Sequence, residues 1–182
     1  MAAASLFAVS IGLILLPASV AKLSTLSSFA EVVQRYPFIP PALRSPVSKG
    51  FPAVEGILAI LLLTGHRNPA IGLAGSGLFL LFAAASGYTL RRWTAEASGP
   101  SCGCLGKAGS LKITRGSVLL NLATGLVGVV VTAIGWSSTG PMIPGFIGLG
   151  LAILIAGTYW LIAYALSVLD TVARATAQGG VV

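Results

Sequence analysis

Apolar runs long enough to approach a bilayer's thickness recur along the chain, separated by stretches where proline, lysine and arginine collect. The first extends from about Ala2 to Leu26, the second from about Val47 to Leu63, and the third from Asn68-Pro69 to about Leu90. A fourth covers about Ser117 to Ile134 and a fifth about Pro144 to Val168. Crossing the hydrocarbon core takes roughly 20 helical residues, so the second and fourth runs lie near the lower limit. Pro52 falls near the start of the second run, where a missing N–H is tolerated. Ser27 to Pro46 carries Tyr36-Pro37 and Pro40-Pro41 and reads as an irregular or re-entrant connector, because paired prolines interrupt a helix. The pattern predicts an all-α integral membrane protein, a bundle of about five transmembrane helices in residues 1–170. Residues 171–182 are expected to form a flexible C-terminal tail.

Composition agrees with that pattern. The chain is 55% hydrophobic and 8% charged, with a mean hydropathy of +0.95, whereas soluble domains carry roughly 25% charged residues. Lipid is therefore the solvent for most side chains. The 23 glycines suit helices that approach closely through small residues. Ala18-Ser19-Val20-Ala21 has the small side chains of a signal-peptidase site, but no basic residue precedes the apolar run. The first run is expected to be retained as a helix.

A net charge of +7 could indicate nucleic acid, but the basic residues flank apolar runs and read as orientation signals, with no nucleic-acid partner. With five spans, Lys22, Arg35, Arg44, Lys49, Arg91, Arg92, Lys107, Lys112, Arg115 and Arg174 fall on one side, and Arg67 on the other. The positive-inside rule makes the rich side cytoplasmic in a cell membrane. A role in oxidising secreted proteins would require the opposite, exoplasmic side, because the cytoplasm keeps thiols reduced.

Cys102-Gly103-Cys104 holds both cysteines of the chain, in the polar loop between the third and fourth spans. A thiolate is the nucleophile in disulfide exchange, and nearby cations lower a thiol's pKa. Lys107, Lys112 and Arg115 follow the pair, while Gly103 and Gly106 allow unusual backbone angles. A disulfide spanning one intervening residue closes a tight ring, and strained or exposed disulfides tend to be the labile ones. The alternatives are inert thiols, a stapled loop, or Cu(I) held by two thiolates. Zinc within one chain lacks a ligand set, since His66 belongs to the opposite side. No cofactor is evident, and no motif marks a quinone pocket.

Parity places Lys22, Glu55, the dithiol and Arg115 at one membrane face. Glu55 is the only carboxylate in the first four spans; an ionisable group there needs a partner and suggests a functional site. Lys22 and Arg115 are its candidate partners, either for chemistry or simply to lock two helices. Asn121 follows Arg115 by about 9 Å of helix and is expected to make an interhelical hydrogen bond.

In order and spacing, these residues resemble the MauE/DoxX-like membrane proteins, most closely the methylamine utilisation MauE family. The resemblance covers roughly Leu6 to Gly128: Gly12, Ala21-Lys22-Leu23, Phe29, Tyr36-Pro37, Ile39-Pro40, Pro52-Ala53-Val54-Glu55 and Gly56-Ile57-Leu58. Its most specific part is Ser101-Cys102-Gly103-Cys104-Leu105-Gly106, with Leu105 where the family usually has Phe. The family often places Arg-Asn at the start of the next helix; here Gly116 follows Arg115 and Asn121 comes later. The resemblance implies a four-helix DoxX-like core plus a C-terminal helix. It also implies a redox-associated accessory role in maturing methylamine dehydrogenase, with a thioredoxin-like or disulfide-containing partner. Relatives in organisms without methylamine oxidation make thiol–disulfide handling the broader implication. On this reading Cys102 and Cys104 exchange disulfides, Glu55 relays a proton or holds Lys22, and Gly103, Lys107, Arg115 and Asn121 support them. A quinone is the conceivable terminal electron partner. The competing class is a non-enzymatic assembly or transport component.

Overall fold

The computed structural model describes residues 2–34, 36, 38–64, 68–92, 113–135 and 146–179, and every regular element in them is helical. In chain order these are α1 (Ala2–Ser24), α2 (Leu26–Gln34), α3 (Pro41–Leu63), α4 (Pro69–Arg92), α5 (Arg115–Gly135) and α6 (Phe146–Gly179). Four of them, α1, α3, α4 and α5, are long and apolar enough to cross a membrane. In α6 the apolar run is Leu151–Leu166, and the helix continues to Gly179. The protein is a multi-pass helical membrane protein.

Local chemistry explains where the helices begin. Asn68 Oδ1 accepts a 2.9 Å hydrogen bond from the Ala70 N–H, capping α4 just before Pro69. At α5 the Ser117 N–H donates to Thr114 Oγ1 and the Thr114 N–H donates to Ser117 Oγ, both at 3.0 Å. This reciprocal pair satisfies two backbone donors, as in a capping box, with serine in place of the usual acid.

The stretch between the first two spans departs from expectation. Instead of an irregular connector, Leu26–Gln34 is helical and the next helix opens at Pro41, within the expected connector. Paired prolines proved compatible with helix because Pro40 is the N-cap and Pro41 opens the first turn, where no N–H is needed. Pro46 and Pro52 then lie inside α3, each without the N–H that would bond four residues back. Tyr36–Phe38 and Phe38–Tyr88 ring contacts, at 5.3 and 5.4 Å between centroids, tie the short link to α4.

Consecutive long helices run antiparallel. Along the α1–α3 seam, Gly12 lies against Ala59 and Leu63, and Ser19 against Pro52 and Gly56. α4 packs along α5, while α6 lies against α1 and α5. α1 is the central helix: 61% of its apolar window is buried, against 33% for α3 and α4 and 17% for α5. Its inner face, Ala8, Ile11, Ile14 and Leu15, packs with Leu58, Ala59 and Leu62 of α3, Phe79 of α4 and Ala156 of α6. Close approach depends on glycine at several crossings, Gly56 and Gly128 among them. A Cβ on Gly56 would lie 2.6 Å from Ser19 Oγ. One on Gly128 of α5 would collide with Ser76 of α4 and Phe7 of α1.

Candidate functional site

Lys22 stands in the last turn of α1, where a cation complements the helix dipole. Its Nζ donates a 2.6 Å hydrogen bond to Glu55 Oε2 of α3, and both side chains are 1% exposed. The seam that aligns them is held one turn away by Ser19 Oγ, which donates to the Pro52 carbonyl at 2.8 Å. Glu55 thus takes Lys22 as its partner. Arg115 is exposed and lines a separate cleft between α4 and α5.

The ammonium is also caged by aromatic rings. Lys22 Nζ lies 5.1 Å from the Phe82 centroid, 5.9 Å from Phe29 and 6.0 Å from Phe51. These distances suit attraction between a cation and the ring quadrupoles, which strengthens where water is excluded. Each cage ring comes from a different helix, α2, α3 or α4. Phe51 and Phe82 meet edge to face at 5.5 Å, and Phe79 continues the aromatic wall to Tyr159 of α6.

Beside the pair is a cavity of about 40 Å³ bordered by Lys22, Glu55, Asn121, Tyr159 and Trp160, with apolar residues from α1 and α4. Its volume is that of a single internal water, but apart from Lys22, Glu55, Asn121 and Tyr159 its lining is apolar. Asn121 lies on its α5 side; its Nδ2 donates to the Ser117 carbonyl, and Tyr159 Oη donates to its Oδ1 at 2.9 Å. Asn121 therefore bonds across to α6 and lies on the same cavity as the ion pair.

By helix rise, Asn121 lies about 9 Å and Phe82 about 15 Å below the ends of α5 and α4 where the intervening loop attaches. Cys102, Gly103, Cys104 and Lys107 lie on that loop, outside the described residues. Among the described residues, no group of three or more His, Cys, Asp or Glu side chains could hold a metal ion.

Sequence reasoning singled out Lys22, Glu55 and Asn121 but missed the cage and the α6 wall. Phe51 precedes Glu55 by four residues, one helical turn, which puts both on one face; that signal was available. Phe82 and Tyr159 offered none, because aromatic residues in an apolar helix look alike whether they face lipid or a neighbouring helix.

Fold and site together define a class: a multi-pass helical membrane protein with a caged lysine–glutamate pair buried where its helices converge. The chain belongs to the family described as methylamine utilisation protein MauE, whose model matches residues 1–138. That span covers α1 to α5 and the Cys-Gly-Cys loop, and ends before α6. No curated protein and no solved structure matches the chain.

Proposed function

We propose that this protein is a membrane accessory factor that carries out thiol–disulfide exchange through Cys102 and Cys104, of the type used in methylamine utilisation. The observation that carries this reading is the family match, which runs through the Cys-Gly-Cys loop. The antiparallel packing of α4 and α5 supports it, because the two ends of that loop leave the bundle side by side.

In the exchange, the thiolate of one cysteine attacks a disulfide of a thioredoxin-like or other disulfide-containing partner. A mixed disulfide forms and one partner thiolate departs. The second cysteine then attacks the mixed disulfide, forming the Cys102–Cys104 bond and releasing the other partner thiolate. Two electrons pass from the dithiol to the partner, whose departing thiolates take up the two protons the dithiol loses; all four sulfurs are retained, and the reverse sequence oxidises the partner. Lys107 and Arg115 favour the thiolate, since cations near a thiol lower its pKa. The Lys22–Glu55 pair anchors the helices beneath the loop and gives Glu55 a place in proton movement. On this reading the loop lies on the cytoplasmic side of the cell membrane, the side that the basic residues favour.

Single Cys102→Ser and Cys104→Ser variants test the reading in cells that contain the partner. One of them should accumulate a mixed disulfide, seen as a slower band on non-reducing electrophoresis that disappears with reductant. If neither variant traps a partner and the double variant leaves client disulfides intact, the non-enzymatic assembly role replaces this one. Impermeant thiol labels applied from each side of the membrane should modify the cysteines only from the cytoplasmic side.

A further inference from the structure

The cleft between the loop-bearing ends of α4 and α5 has a volume of about 420 Å³ and is lined by Gly87, Leu90, Arg91, Arg115, Val118 and Leu119. That is within the range of small-molecule pockets. Among the described residues, its two charged lining residues are arginines, one from each helix, and both side chains are exposed. The rest of the described lining is apolar. Leu119 is 63% exposed, so it faces hydrocarbon rather than water in a bilayer. Gly87 and Val118 close the floor, where a Cβ on Gly87 would lie 3.5 Å from Val118 Cγ1.

We propose that this cleft is a binding site for an anionic phospholipid, with the phosphate between Arg91 and Arg115 and an acyl chain along Leu90, Val118 and Leu119. A guanidinium fork matches phosphate geometry with paired N–H donors. Basic pockets between membrane helices are suited to anionic headgroups. Arg44 and Lys49, on the early turns of α3, add positive charge at the same end of the bundle. Apolar walls with arginines confined to the rim favour a lipid over free phosphate, because phosphate alone gains nothing from the leucine-lined interior. The assignment concerns side chains at the membrane plane and does not depend on the dithiol reading.

The test is lipid retention by the purified full chain in non-ionic detergent, read by native mass spectrometry. Phosphatidylglycerol, phosphatidylcholine and inorganic phosphate are the probes. The unmodified protein should retain phosphatidylglycerol in preference to phosphatidylcholine, and millimolar phosphate should not displace it. Replacing each guanidinium, Arg91→Gln and Arg115→Gln, should weaken phosphatidylglycerol retention about fivefold, or about 30-fold together. Leu119→Trp, with both arginines intact, should also reduce retention by filling the groove; it decides the matter if the glutamine variants do not fold. Equal retention of the two lipids, unchanged retention in the folded variants, or displacement by inorganic phosphate would overturn the proposal.

Discussion

Lys22 and Glu55 are each nearly inaccessible and bonded to each other at 2.6 Å, so neither can be altered alone without consequence. Glu55→Gln leaves an ammonium buried without counter-charge, and Lys22→Met leaves a carboxylate in the same position. Breaking a buried pair in this way costs about 3–5 kcal/mol, whereas replacing both partners by apolar residues of similar volume is often neutral. Each single variant should therefore show a much lower melting temperature in detergent, and the Lys22→Met/Glu55→Met double variant should recover most of the loss. The same double variant should fail to support disulfide exchange in the trapping assay, because stability is restored without the charges. Single variants as stable as the unmodified chain would exclude a structural role for the pair. Glu55 was legible in the sequence because a carboxylate stands out in an apolar run. Phe51 was signalled only by its place one turn before Glu55, and Phe29 and Phe82 were not legible as cage members, because their role is set by which side chain the neighbouring helices bring to them.

Helix packing in this bundle rests on glycine and small polar residues, since lipid supplies no hydrophobic force between helices. The α1–α3 seam shows the principle at Ser19 and Gly56. Ser19 Oγ donates to the Pro52 carbonyl and occupies the space a Cβ on Gly56 would need. Replacing glycine by alanine inside a helix normally favours the helix by up to about 1 kcal/mol. Here Gly56→Ala must also turn the Ser19 hydroxyl aside and break its bond, a loss of about 1 kcal/mol. The substitution should thus be neutral or destabilising alone, yet stabilising in a Ser19→Ala background. A coupling of at least about 0.5 kcal/mol in a thermal-unfolding cycle is the expected result; simple additivity would show that the seam relaxes freely. The spans were legible from hydropathy at this scale, but the start of α3 was not. Reading Pro40-Pro41 as a break missed that the first turn of a helix accepts proline at no cost in hydrogen bonds.

At the scale of the whole molecule, α6 lies beyond the family match, which ends at residue 138. Even so, Ala156 belongs to the central packing cluster, and Tyr159 and Trp160 border the cavity beside the ion pair. Removing α6 would return an apolar face of α1 to lipid, and that exchange of one apolar surrounding for another costs little. The larger loss falls on the polar site. Without Tyr159 and Trp160 the cavity beside Lys22, Glu55 and Asn121 opens toward lipid, and Asn121 Oδ1 loses the donor it has at 2.9 Å. Tyr159→Phe alone should cost about 0.6 kcal/mol, the average for hydrogen bonds between membrane helices. Truncation after residue 145 should cost considerably more, because the charged pair loses a wall as well. The penalty should therefore depend on whether the pair is present. Truncation in the Lys22→Met/Glu55→Met background should lower the melting temperature much less than truncation of the unmodified chain. Equal losses in the two backgrounds would mean that α6 acts through apolar packing alone. The expected inequality would instead mean that α6 completes a polar site which the matched region leaves open on one side.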